Sequence, residues 1–284
     1  MMLTPKDLIS DNLELVSLPE IVTQLNEMVD DPTCTAADIG EVIIQDAALS
    51  ARLLKIVNSP FYSFPSRIDT ISMAITIVGT RQLRDLVLAT SVTGKFRSIP
   101  SDLVNIDVFW HHSLACATAA RIIANQLRIN NSERFFVAGL LHDIGKMVMY
   151  LAQPDLSRQV LELCEQPDVE LDKLEIKAFG FHHATLGGEL LREWRLPESL
   201  IEPVEYHHFP SGASKFRLET AAVHMGNAIA NTVEPVISRD DDLPIDTEVW
   251  NTIGMEPENL EELISETQRQ LGSVLQIIYY NEAA

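Results

Sequence analysis

The chain has 284 residues, 46% of them apolar, a formal net charge of −20 and a pI near 4.7. That length is enough to bury a sizeable core. So acidic a surface excludes a broad basic face for phosphate backbones, though not a nucleotide in a local pocket. The three cysteines, Cys34, Cys116 and Cys164, are odd in number and form no C-x-x-C, so they read as reduced packing residues. No apolar run is read as a membrane span, and Met1-Met2-Leu3-Thr4-Pro5-Lys6-Asp7 carries no signal-peptide pattern, so the expected location is cytoplasmic with no membrane contact.

Taken in order, Thr4-Pro5-Lys6-Asp7 predicts a helix start: a capping hydroxyl, a proline in the first turn and a carboxylate at the third position. Leu18-Pro19 opens a second helix, with Ile21, Val22, Leu25, Met28 and Val29 at helical spacing. Thr35 to Asp38 is a capping box with Asp in the Glu position. Asp46, Thr70 and Thr80 each precede a further helix, and Gly79 stops the one before Thr80. Phe61 to Ser66 reads as a packed aromatic loop.

The polar stretch Ser98 to Asn105 marks a break, which sets an N-terminal helical subdomain at 1–97 and a second helical part at 98–284. Asp107 to Leu127 predicts a long helix dense in alanine, hence close packing. Asn130 with Glu133 is expected to cap the next helix, which runs into Leu140-Leu141-His142-Asp143-Ile144-Gly145-Lys146. Helices follow over Pro154–Cys164, Leu171–Phe179, about 182–194, Glu198–His208 (with Pro203 inside) and Leu218–Ala230. Arg239 to Asp246 reads as an exposed acidic loop, and Glu256-Pro257 leads into a last helix. Nothing alternates as a strand would, so the expected fold class is all-α.

Six of the eight histidines fall in adjacent pairs: His111-His112, His182-His183 and His207-His208. One exposed and one packed histidine per pair is the plain reading of each. The alternative is convergence on His142-Asp143. Neighbouring helical residues point about 100° apart, so that dipeptide suits a metal in its fork or a bridged pair. His112 lies thirty residues before His142, which fits two helices of an antiparallel hairpin. Imidazoles with a carboxylate suit Mn, Fe, Ni or Zn. Gly145 is expected to loosen the helix locally, and Lys146 to hold positive charge near a bound anion.

These segments together resemble the HD superfamily of metal-dependent phosphohydrolases, and within it the HDOD branch. The resemblance rests on Phe109-Trp110-His111-His112-Ser113, on Ala138 through Lys146, on Phe179 through Gly187, on Trp194-Arg195-Leu196-Pro197 and on Tyr206-His207-His208. In the first half it rests on Gln45 through Ser50, on Val57-Asn58-Ser59-Pro60 and on Ile68 through Gly79. It implies an HD-type helical core preceded by a helical subdomain. It also implies metal ligands at His112, His142, Asp143, His183, His207 and His208, with catalytic roles for Asp143 and Lys146 if the chain is an enzyme. The later acidic ligand of the superfamily falls at Asn227, and the Gly-Tyr-Pro element of the related HD-GYP proteins is replaced by Phe209-Pro210-Ser211-Gly212.

Three readings follow. The first is a signalling or regulatory module that binds protein partners or a small ligand, without strong catalysis and with any metal structural or vestigial. The second is a metal-dependent phosphohydrolase or phosphodiesterase acting on a phosphorylated small molecule or nucleotide, with a divalent transition metal. The third is a histidine cluster that serves packing alone.

Overall fold

In the computed structural model every regular element among the described residues is helical. The structure describes residues 3–12, 16–59, 62, 64, 66–92, 96, 98–164, 166, 169–234, 245 and 247–278, the last three by backbone alone. Half of the aromatic loop read at 61–66 and most of the acidic loop read at 239–246 lie outside them.

The helices are α1 (Pro5–Ser10), α2 (Glu20–Asp30), α3 (Ala36–Ile44), α4 (Ala47–Val57), α5 (Ile71–Val78) and α6 (Thr80–Val92). They continue as α7 (Ile106–Gln126), α8 (Glu133–Leu141), α9 (Ile144–Ala152), α10 (Pro154–Cys164), α11 (Leu171–Phe179) and α12 (His183–Glu193). The last are α13 (Glu198–Glu205), α14 (Arg217–Val233), α15 (Thr247–Ile253) and α16 (Leu260–Ile278). Packing divides the chain into a unit of residues 1–17 with 95–268 and a unit of residues 18–94 with 269–284.

The helix starts follow local chemistry. Thr4 with Asp7 and Thr35 with Asp38 form complete capping boxes. Asp46 accepts from the Leu49 amide at 2.9 Å and Thr70 from that of Met73 at 3.1 Å. The start of α8 differs from expectation. Ser132, not Asn130, holds the cap position, and its side chain makes no capping bond. Asn131 is left-handed at φ 66°, which turns Asn130 out of line, while Glu133 faces Arg121 at 3.7 Å.

In the smaller unit α2 packs on α6 and α3 on α5, around Leu25, Ile43, Leu53, Leu83 and Leu86. The larger unit is built around α7, which is buried on nearly all sides and contacts α8 and α14. The alanines permit this closeness. A Cβ on Gly139 of α8 would stand 2.7 Å from the Ala117 Cα, and one on Gly226 of α14 would stand 2.8 Å from the Cys116 carbonyl oxygen.

Two expectations are corrected here. Residues 133–152 do have the length and hydropathy of a membrane span, but 89% of their apolar 18-residue window is buried in the protein and a turn at His142-Asp143 divides the stretch into α8 and α9. Gly145 does not loosen a helix; it allows contact. A Cβ there would lie 2.0 Å from the His183 carbonyl oxygen and 2.8 Å from the Gly187 nitrogen, so α9 meets α12 backbone to backbone.

Candidate metal centre

His142 and His207 each follow the end of a short helix. Leu141 ends α8, and the His142 Nδ1–H donates to the Gly139 carbonyl oxygen at 2.7 Å. Helix α13 ends at Glu205 rather than running on to His208, because His207 folds back: its Nδ1–H donates to the Val204 carbonyl oxygen at 2.7 Å. The last carbonyls of a helix lack intrahelical partners, and each imidazole fills one such place. His183 is the first residue of α12, and its backbone N–H and Nδ1–H both donate to Glu175 Oε2 on α11, each at 2.7 Å.

In all three rings the Nδ1 bond turns Nε2 toward Asp143. The Nε2 atoms of His142, His183 and His207 lie 3.3, 3.2 and 3.7 Å from the Asp143 carboxylate oxygens. Lys146 Nζ donates to Asp143 Oδ2 at 2.9 Å. His208 Nε2 is 2.8 Å from His183 Nε2. His112 donates from Nε2 to Asn227 Oδ1 at 2.9 Å, and its ring centroid stands 5.4 Å from that of His142. The side chains of His112, His142, Asp143, Lys146, His183, His207 and His208 therefore form one cluster, in which only His208 is partly exposed. Asn227 joins it.

Both members of the 207–208 pair belong to the cluster, whereas His111 and His182 of the other two pairs have peripheral places. His182 caps α12 by accepting from the Thr185 amide and packs against Phe209, 5.9 Å between centroids. His111 is half-buried one residue before His112. His224, outside the pairs, donates from Nδ1 to the His207 carbonyl oxygen at 2.7 Å.

Charge inside the cluster is divided. Burial opposes ionisation of Asp143, but His142 and Lys146 hold its carboxyl well below the usual range. Burial also opposes charge on His142 and His183. Asp143 nonetheless holds His142 well above its ordinary value, and Glu175 lifts His183 to about 10. Burial, then the neighbouring His142, pushes His112 down to about 4. Burial, then His208 and His142, pushes His207 well down.

The donor atoms fit a cation. Asp143 Oδ1, His142 Nε2, His207 Nε2 and His112 Nδ1 are buried with no hydrogen-bond partner, so positive charge among them would satisfy atoms that are otherwise costly to bury. Two ligand sets share Asp143: Asp143, His183, His207 and His208, and His112, His142 and Asp143, with donor atoms within 4.8 Å of one another in each. The outer bonds from Nδ1 to a carboxylate or a carbonyl are those that orient metal-binding imidazoles.

A cavity of about 280 Å³ reaches the cluster at His112, Asp143 and Lys146 and is walled by Asn105, Phe109 and Tyr150. A second, of about 520 Å³, reaches His208 and is walled by Phe209, Arg217, His224 and Glu248.

Glu175 was missed in the sequence, although it lies with Leu171 and Phe179 on the buried stripe of α11, where a carboxylate is out of place without a partner. Glu202 was missed too. It accepts from the amides of Ser214, Lys215 and Phe216 and so anchors the segment between His208 and α14.

An all-helical unit enclosing a buried histidine–carboxylate cluster is the class that fold and site define. The HDOD domain model matches residues 15–210, and the chain belongs to the HDOD family. An uncharacterised protein of Treponema pallidum (strain Nichols) is 25% identical over 225 residues, which are 77% of this chain; the chain spans only 43% of that relative's length. Among solved structures, a candidate phosphohydrolase of Shewanella amazonensis SB2B is 22% identical with a TM-score of 0.72, covering 95% of this chain and 96% of the other. An HDOD domain protein of unknown function from Geobacter sulfurreducens is 23% identical with a TM-score of 0.70, covering 95% and 97%. A candidate signal transduction protein of Marinobacter aquaeolei VT8 is 19% identical with a TM-score of 0.72, covering 95% and 60%. At these identities the likeness is one of fold.

Proposed function

We propose that this protein is an HDOD signalling module built on a buried transition-metal centre, with Fe, Mn, Ni or Zn held by residues among His112, His142, Asp143, His183, His207 and His208. One observation carries the reading: imidazoles on separate helix ends are fixed through Nδ1 and present Nε2 to one carboxylate. Packing alone needs no such convergence, and it leaves four buried polar atoms without partners. A bound divalent ion supplies Lewis acidity there. The module's output passes through a protein partner or a small ligand that senses the state of the centre.

A second reading, hydrolysis of a phosphorylated small molecule, is favoured by the 280 Å³ cavity, which brings Asp143 and Lys146 within reach of a ligand. In it Lys146 holds the phosphate and Asp143 anchors the metal. The double change His142→Ala, Asp143→Ala separates the two when partner-dependent output and phosphatase and phosphodiesterase turnover are assayed in parallel. Metal-dependent turnover that the double change abolishes establishes the enzyme. Loss of output with no turnover in the unaltered protein establishes the module. Full output in a double variant that holds no metal overturns the metal-centred account.

A further inference from the structure

The two oxygens of Asp143 differ. Oδ1 faces His183 Nε2 and His207 Nε2, at 3.2 and 3.7 Å, and accepts no hydrogen bond. Oδ2 faces His142 Nε2 at 3.3 Å and is already bonded by the Lys146 ammonium at 2.9 Å. The two ligand sets are correspondingly unequal. Asp143, His183, His207 and His208 supply four donors. The other set supplies three, from His112, His142 and Asp143, and the Nε2–H of its His112 is bonded to the Asn227 amide oxygen. Lys146 is held in place by its burial. It is 4% exposed and lies one residue beyond Gly145, which is pressed against the His183 carbonyl.

We propose that the centre takes one transition-metal ion, in the Asp143–His183–His207–His208 set, and that the Lys146 ammonium stands in for a second cation on the Oδ2 side. The inference rests on the metal reading above and adds its stoichiometry. A buried ammonium on Oδ2 neutralises the charge a second ion would need and repels that ion at close range. Asn227 adds no charge to the His112 side, since a neutral amide is a poor ligand for a transition metal.

Mn(II) loading of chelator-stripped protein tests this, with bound metal counted by mass spectrometry after desalting and its coupling read by electron paramagnetic resonance. One Mn per chain with an isolated six-line spectrum is expected for the unaltered protein, for Lys146→Arg and for Asn227→Asp. Two Mn per chain with a coupled spectrum are expected for the double change Lys146→Met, Asn227→Asp. Two ions in the unaltered protein overturn the proposal, whether or not the double variant folds. So do two in Asn227→Asp alone, or one in a double variant that melts as the unaltered protein does. No uptake by any form removes the metal reading itself.

Discussion

His142 and His207 stand in the same relation to the helices they end: each sends Nδ1–H to the carbonyl oxygen three residues back, at 2.7 Å, and each turns Nε2 toward Asp143. Two helix ends from separate parts of the chain thus deliver equivalent donors to one carboxylate. Each ring also satisfies a carbonyl that the helix end leaves open, so the local fold and the centre depend on the same bonds.

Metal uptake will release protons. Without a metal, Glu175 lifts His183 to about 10, so at neutral pH its ring is protonated and faces Asp143 beside the Lys146 ammonium. A metal on His183 Nε2 displaces that proton. Apparent affinity will therefore rise with pH through the neutral range, by about tenfold per unit for each proton displaced. Calorimetry in two buffers of different ionisation enthalpy will report at least one proton released per metal bound. Binding enthalpies that do not depend on the buffer would refute this.

Glu175→Gln will weaken the centre without touching a ligand. Glu175 accepts both the backbone and the ring N–H of His183 and is 3% exposed. Its charge raises the basicity of that imidazole. Metal affinity will fall by about ten- to a hundredfold, and stability by about 1–3 kcal/mol. A chelator competition and a urea melt read the two effects separately.

Gly145→Ala will destabilise the protein by about 2 kcal/mol or more, because the added methyl meets backbone rather than a movable side chain. The change will also loosen metal binding, since the contact it forces apart holds His183 beside Asp143. Thermal melts with and without metal check both. A Tm unchanged in both would contradict the backbone contact.

Acid will release the segment after His208. Burial opposes ionisation of Glu202, but amide donors from Ser214, Phe216 and Lys215 hold its carboxyl below the ordinary 4.5. The unfolded chain therefore takes up the proton first. The stability that Glu202 contributes is present above about pH 4.5 and is lost as pH falls through the lower folded value. Glu202→Gln will be the less stable form at pH 6, and the gap between the two urea midpoints will close toward pH 3. A gap constant with pH would show that the carboxylate charge is not what holds the segment.

The fold was legible where local chemistry decides it. Thr4, Thr35, Asp46 and Thr70 cap helices that their own sequences specify, and the alanines of α7 foretell its close neighbours. The clustering of the histidines was legible from their pairing around His142-Asp143. What escaped depends on contacts between segments. Gly145 reads as a helix weakener until His183 is placed against it, and Glu175 reads as one more acidic residue until its imidazole partner is found. The end of α13 at Glu205 is set by the His207 ring bonding back to Val204, which no propensity expresses.

The most direct test of the metal-centred account is metal content, by mass spectrometry, of protein purified without chelator or nickel resin, beside Asp143→Ala and His207→Ala. The account predicts near-stoichiometric Fe, Mn, Ni or Zn in the unaltered protein and its loss in both variants. Protein that is purified without metal and takes up none when Fe, Mn, Ni or Zn is added would contradict it.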